Sequence, residues 1–177
     1  DRFSAVSAWV GISDLPAWYK FHVKNGQPQR YARMILSSFG GAPLSSDPID
    51  ADYKDRSPIH HMHRAVNLPL QICAGINDGY TGSVPISHSL NAFNAVARAR
   101  KATVVSDADI AHLLNRKGVS RANLLSSNDW KAYGRDIKFE QSAGVAQVII
   151  FDGGHEGLPM PACDWLSTQL RTASIRR

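Results

Sequence analysis

Cysteine is scarce in this sequence, and its scarcity excludes two kinds of site. The chain has two cysteines, Cys73 in an apolar run and Cys163 near its end, which are too few for a disulfide framework and lack the spacing of metal ligands. Long apolar runs are also missing. None approaches the roughly 18 residues that span a membrane, and no charged segment leads into an apolar one as in a secretory signal peptide. No membrane partner is therefore expected.

Positive charge exceeds negative charge, but it is not concentrated. The formal net charge is +5, and the lysines and arginines are scattered apart from short clusters at 98–101 and 176–177. A nucleic-acid-binding surface would show a denser basic stripe with interleaved aromatic residues, so no nucleic-acid partner is expected. The composition, 44% hydrophobic and 20% charged, is ordinary for a globular domain. With no internal repeat or linker, residues 1–177 are expected to belong to a single domain.

Two kinds of segment alternate along the chain and predict an α/β fold. Near-continuous apolar runs, typical of strands covered on both faces of a parallel sheet, occupy Phe3–Val10, Pro69–Ala74 and Val145–Phe151. Apolar residues at helical spacing occupy Pro28–Phe39, Ser83–Arg100 and Pro161–Leu170. Strands that alternate with helices indicate βαβ units. Residues 106–142 fit neither a strand nor a crossover helix well, and we interpret them as an insertion on the edge or rim of the sheet.

His155 follows the third predicted strand, at the end of the sheet where α/β proteins bind ligands. It is flanked by Gly153, Gly154 and Gly157, which allow a tight turn and the close approach of a substrate. A histidine in such a loop can serve as a general base. A surface histidine in a flexible turn has the same pattern.

Asp78 follows the second predicted strand and is the candidate partner of His155. A catalytic histidine needs a carboxylate at Nδ1 to fix its tautomer, and neighbouring parallel strands would bring both side chains to one rim. Two alternatives stay open. An Asn-Asp-Gly turn favours aspartate for its own backbone hydrogen bonds. Asp14, after the first strand, is a rival acid, although its position before Pro16 also suits a helix start.

Four short motifs occur in an order that resembles the α/β-hydrolases. They are Ser57-Pro58 before the second strand, Gly75 to Asp78 at its end, Val84-Pro85 at a helix start, and Gly154-His155 after the third strand. Together they most resemble the C-terminal half of the prolyl-oligopeptidase-like serine hydrolases, over Asp1 to about Phe93 and Val145 to about Leu170. The resemblance implies that Asp78 is the acid and His155 the base of a catalytic triad.

The same resemblance implies that the nucleophilic serine precedes Asp78, because the family order is Ser, Asp, His. No Gly-x-Ser-x-Gly motif occurs in the chain. We therefore expect a partial α/β-hydrolase domain that lacks the N-terminal strands, the nucleophile elbow and the oxyanion-hole amides. The parent protein is expected to cleave a small ester or peptide substrate without a cofactor. This chain alone, without the missing N-terminal half, is expected to be inactive.

Two features depart from the family pattern. The segment from Asp78 to Val84 is longer, with Tyr80 and two glycines added beside the acid. The chain from Asp78 to His155 also exceeds the roughly 35 residues that one helix, one strand and two short loops need. That surplus is the 106–142 insertion, which would shape the substrate mouth. Both departures concern the identity of the substrate rather than the acid and the base.

The cluster His60, His61 and His63 invites a metal interpretation. It lacks the i, i+4 pair of a helical zinc site, and no cysteine or carboxylate set accompanies it, so no metal is expected. Two functions then remain open. One is the serine hydrolase. The other is a non-catalytic, hydrolase-like binding domain, which the missing serine favours and the retained Asp78 and His155 disfavour.

Overall fold

The computed structural model describes residues 3–116 and 130–169. In chain order the strands are β1 (Val6–Trp9), β2 (Val23–Lys24), β3 (Gln27–Pro28), β4 (Leu70–Gly75), β5 (Ile137–Ala143) and β6 (Ala146–Phe151). The α-helices are α1 (Leu15–Phe21), α2 (Arg30–Phe39), α3 (Asp47–Arg56), α4 (Ser87–Ala99), α5 (Asp107–Leu114) and α6 (Pro159–Ser167). Short 3-10 helices cover Pro58–His60, Met62–Ala65 and Trp130–Tyr133. No helix within these described residues is both long and apolar enough to cross a membrane.

The main sheet has four strands in the order β1-β4-β6-β5, and its first three strands are parallel. The three strands predicted from the sequence are present, although β1 is shorter than the predicted Phe3–Val10. The register of β4 against β6 runs from Leu70 opposite Ala146 to Gly75 opposite Phe151. Both strands therefore end at the same level, and the loops that follow them share one rim. A mainly parallel sheet flanked by helices confirms the α/β class.

The interpretation that residues 106–142 contain no strand is wrong at their C-terminal end. β5 pairs antiparallel with β6 and forms the edge of the sheet. The two strands are joined by a tight turn in which Gly144 has a φ of 63°, a backbone conformation that two-residue hairpin turns favour. At this end the insertion supplies the edge strand of the sheet itself. It also contains α5, and residues 117–129 lie outside the described part of the chain.

Each face of the sheet is covered, which accounts for the near-continuous apolar strands. On one face Ile72, Val148 and Ile150 belong to the same buried cluster as Phe93 and Val96 of α4. On the other face a second cluster joins Cys73, Trp130, Ile149 and Phe151, with Trp9 packed against it. Burial raises the pKa of the Cys73 thiol well above its usual value, so this cysteine is a protonated core residue.

The three predicted helices are present with shifted ends; α6 covers Pro159–Ser167 rather than the predicted Pro161–Leu170. α2 ends at Gly40, whose φ is 75°, as left-handed C-caps favour. α4 begins at Ser87, later than the predicted Ser83, because the residues before it belong to the loop around Asp78. Helix α3 was not predicted, whereas α1 begins where the sequence offered a helix start, directly after Asp14. Asp14 caps α1 by accepting the Ala17 N–H at 3.0 Å.

Candidate active site

Asp78 lies in the turn that follows β4, with its side chain completely buried. One carboxylate oxygen, Oδ1, accepts the backbone N–H groups of Gly79 at 2.9 Å and Val84 at 3.1 Å. The other oxygen, Oδ2, faces His155. An ionised carboxylate only accepts hydrogen bonds, so donors surround Asp78 on both oxygens. The backbone thereby fixes the orientation of this carboxylate before any ligand binds.

His155 lies in the loop that follows β6, and the structure brings it together with Asp78. The imidazole Nδ1 is 2.8 Å from Asp78 Oδ2, with 41% of the histidine side chain exposed. A proton on Nδ1 would be donated to the carboxylate, which leaves the lone pair on Nε2. No residue within 3–116 or 130–169 hydrogen-bonds to Nε2. A buried acid that orients a half-exposed imidazole is the arrangement that a general base requires.

The loops after β4 and β6 meet because their backbones pack directly against each other. The Asn77 N–H donates to the Gly153 carbonyl at 2.9 Å. A Cβ on Gly75 would lie 2.3 Å from the Gly154 carbonyl oxygen, closer than any side chain allows. Gly75 is therefore needed at the end of β4, since only a glycine lets the histidine loop approach this closely.

The long segment between Asp78 and Val84 passes close to both Asp78 and His155. A Cβ on Gly82 would lie 2.2 Å from Asp78 Oδ1 and 2.4 Å from His155 Cβ. The chain then returns, so that the Val84 N–H still reaches the carboxylate. The sequence showed the extra glycine but gave no signal that it touches both residues of the pair.

A contact from α1 holds this loop in place from outside. The Ser83 carbonyl accepts the Trp18 Nε1–H at 2.7 Å and the His22 Nε2–H at 2.8 Å. Trp18 is buried, and its ring packs edge-on against His22. Neither residue was singled out as part of the site, because a distant aromatic anchor leaves no local pattern in the sequence.

The rival acid Asp14 has a different role. Its side chain caps α1, and it shows no contact with His155. Its backbone N–H and that of Ser13 each lie 3.3 Å from His88 Nδ1. Burial lowers the pKa of His88, while the charges of Asp14 and Asp78 oppose the shift. His88 is therefore a neutral, buried acceptor that joins the end of β1 to α4.

The buried serines near the rim are committed to structural hydrogen bonds. Ser57 Oγ donates to the Tyr53 carbonyl at 2.7 Å and accepts the Leu15 N–H at 3.0 Å. Ser13 Oγ donates to the His88 carbonyl at 2.8 Å. Among the described residues, no hydroxyl or thiol is hydrogen-bonded to the His155 ring.

The histidine cluster forms no ligand set. His61 Nε2–H donates to the Asp55 carbonyl at 2.7 Å, and His60 and His63 lie in or beside the two short 3-10 helices. Across the described ranges, no group of three or more histidine, cysteine, aspartate or glutamate residues is placed to hold a metal ion.

Comparison with known proteins adds no family to these observations. No family model matches the chain, and no curated protein and no solved structure matches it. The geometry around Asp78 and His155 is therefore the observation from which a function is proposed.

Proposed function

We propose that the chain is the acid- and base-bearing part of a serine hydrolase of the prolyl-oligopeptidase-like type, which cleaves an ester or peptide bond. The observation that carries the proposal is the contact of His155 Nδ1 with Asp78 Oδ2 at 2.8 Å, together with the two backbone N–H groups that fix Oδ1. The alternative, an aspartate that only makes hydrogen bonds within its own turn, does not explain the contact with His155. The order of the motifs along the chain supports the same family.

In the proposed reaction, His155 Nε2 takes the proton of a serine hydroxyl while the serine oxygen bonds to the carbonyl carbon of the substrate. The imidazolium then gives this proton to the leaving alcohol or amine as the ester or peptide bond breaks, and an acyl-enzyme remains. His155 Nε2 next takes a proton from water as the water oxygen bonds to the acyl carbon; the bond from that carbon to the serine oxygen then breaks, the imidazolium gives its proton to the serine oxygen, and the carboxylic acid leaves. Asp78 keeps Nδ1 protonated and stabilises the imidazolium. A positioned general base of this kind contributes about 10²- to 10⁴-fold to the rate.

The serine belongs, in this proposal, to a strand outside these 177 residues. The chain has no Gly-x-Ser-x-Gly motif, and the described serines nearest the rim are engaged elsewhere. One side of β1 pairs with β4, and no described strand pairs with its other side. A parallel strand added there would end at the same rim as β4 and β6, within reach of His155.

The test begins with the coding sequence upstream of Asp1, where a Gly-x-Ser-x-Gly motif is expected within about 25 residues. The protein that includes this segment should hydrolyse p-nitrophenyl acetate or a peptide p-nitroanilide and react with a fluorophosphonate. His155→Gln should abolish turnover. The matched control is His63→Gln, which replaces an exposed histidine away from the pair and should leave turnover unchanged. The 177-residue chain alone should show none.

An upstream segment without such a serine, or a longer protein that neither hydrolyses these substrates nor reacts with the probe, would contradict the enzyme proposal. The binding-domain alternative would then account better for the chain. Equal loss of activity in His155→Gln and His63→Gln would count against the assigned base.

A further inference from the structure

We propose that the ion pair between Arg135 and Glu156 is a positioning device for His155, a role that rests on the proposed function of His155 as the base. Neither residue touches the imidazole ring. They act through the backbone of the turn in which His155 stands. The sequence pointed to neither of them, because the arginine lies in the insertion and the two residues share no motif.

Glu156 stabilises the turn around His155 through its backbone and through its side chain, which both hydrogen-bond to the backbone of Gly154. Its backbone N–H donates to the Gly154 carbonyl at 3.0 Å, and its side-chain Oε1 accepts the Gly154 N–H at 3.2 Å. The second carboxylate oxygen, Oε2, accepts a hydrogen bond from Arg135 Nη2 at 2.8 Å. A single carboxylate therefore links the turn that carries the base to the insertion.

Arg135 is itself anchored in the aromatic cluster below the loop. Its backbone N–H donates to the Trp130 carbonyl at 3.1 Å, and Trp130 is 3% exposed. The Trp130 ring stacks on Phe151 at a centroid distance of 5.8 Å and on Trp9 at 6.0 Å. The guanidinium thus extends from a rigid part of the core to Glu156.

The histidine loop needs such an external constraint because glycine loosens it. Gly153, Gly154 and Gly157 flank the His155–Glu156 pair, and each glycine carries more backbone freedom than any other residue. A Cβ on Gly153 would lie 2.6 Å from Glu156 Oε1, so this glycine also makes room for the glutamate. The same loop that brings the base close to Asp78 is therefore prone to move unless Glu156 holds it.

Stability alone is a poor explanation for this ion pair. The two side chains are 32% and 36% exposed, and ion pairs at such sites contribute little because water screens them. Arg135 Nε is buried and has no hydrogen-bond partner among the described residues, which costs free energy. An arginine kept at this cost is better explained by what it orients.

A second ion pair nearby provides a matched control. Lys138 Nζ lies 3.2 Å from Asp152 Oδ2, with side chains 33% and 50% exposed. It links β5 to the residue that follows β6, close to the same loop. Its carboxylate makes no hydrogen bond to the Gly154–Glu156 turn. Loss of this pair removes a similar surface interaction and leaves the turn intact.

The experiment uses the chain as it exists, labelled with 15N-histidine. Long-range 1H–15N NMR at a pH where the imidazole is neutral measures the ratio of His155 protonated on Nδ1 to His155 protonated on Nε2. Arg135→Gln and Glu156→Gln should each lower this ratio by about two- to fivefold, the size expected for loss of a partly exposed ion pair. Arg135→Lys should restore most of the ratio, and Lys138→Gln should leave it unchanged.

An unchanged ratio in folded Arg135→Gln and Glu156→Gln would overturn the proposal, as would an equal fall in Lys138→Gln. If Arg135→Gln does not fold, Glu156→Gln decides, since its amide oxygen can still accept the Gly154 N–H. The readout needs no catalysis. Absent turnover in the longer protein would count against the proposed function alone, whereas an unchanged ratio in an active protein would count against the positioning role alone.

Discussion

Replacing Gly82 with alanine adds one methyl group where the chain passes close to Asp78 and His155. The new Cβ would lie 2.2 Å from Asp78 Oδ1 and 2.4 Å from His155 Cβ. Contacts of this kind essentially never fall below 3.0 Å, so the loop and the pair must separate by about 1 Å, which exceeds the tolerance of hydrogen-bond distances. The φ of Gly82 is not in the left-handed region, so the expected effect is steric.

The magnitude follows from what the displacement breaks. Overpacking of a filled site costs about 1–3 kcal/mol. Oδ1 is held by Gly79 and Val84 at 2.9 and 3.1 Å, and weakening hydrogen bonds to a buried carboxylate adds about 1.5 kcal/mol or more. We expect Gly82→Ala to lower the free energy of unfolding by about 2.5–4.5 kcal/mol and to reduce the fraction of His155 protonated on Nδ1.

Urea unfolding followed by tryptophan fluorescence measures the first effect, and 15N NMR of His155 measures the second. Gly11→Ala is the matched control, because a Cβ there meets nothing within 4 Å. It should change stability by no more than about 0.5 kcal/mol. A Gly82→Ala protein as stable as Gly11→Ala, with the Nδ1 proton retained, would refute the reasoning about this close approach.

Three further outcomes are expected. In the longer protein, Asp78→Asn should lower kcat by about 10⁴-fold, because an amide N–H facing Nδ1 forces the proton onto Nε2; steady-state kinetics would show it, and a tenfold effect or less would contradict it. Glu140 lies in β5, and burial raises its pKa. The folded protein therefore favours the protonated carboxyl group, and the stability that this form provides is lost as pH rises through the folded-state pKa. Glu140→Gln should therefore be more stable than wild type at pH 7 and lose this advantage below about pH 4, as measured by urea unfolding. The chain should self-associate through the side of β1 that pairs with no described strand, because an open strand edge can pair with another chain, and a monodisperse monomer in light scattering would show that this edge is covered.

The strands that lead to Asp78 and His155 were predictable because burial on both faces leaves a simple pattern. Every residue of β4 is buried, and its sequence is almost continuously apolar. β5 was missed because it has one buried face that is partly polar. Gln141 lies on this face and donates to the Thr103 carbonyl at 2.7 Å. A hydropathy pattern treats glutamine as a solvent-exposed residue. A glutamine that is buried with its hydrogen bond made therefore breaks the apolar pattern from which a strand would be predicted.

The candidate site was predictable at its centre and not at its surroundings. Asp78 and His155 could be predicted from the sequence because they follow two neighbouring parallel strands, β4 and β6, that end at the same level. Their closeness to each other follows from this topology. The contacts of Gly82 and of the pair Arg135–Glu156 depend on loop paths, which no periodic pattern specifies. For Asp14 the local sequence was the better guide. Its position before Pro16 indicated a helix cap, which the structure shows, whereas its position after a strand had suggested a rival acid.

The hairpin of β5 and β6 has a consequence for the order in which the molecule assembles. Its strands are joined by a tight turn, and hairpins of this kind form within about 1–10 μs. The pairing of β6 with β4 closes a loop that includes α4 and α5, and such non-local contacts form more slowly. We expect refolding chains to form this hairpin, with the histidine turn at its end, first, so that the later pairing of β6 with β4 brings Asp78 to His155 in a late step of folding.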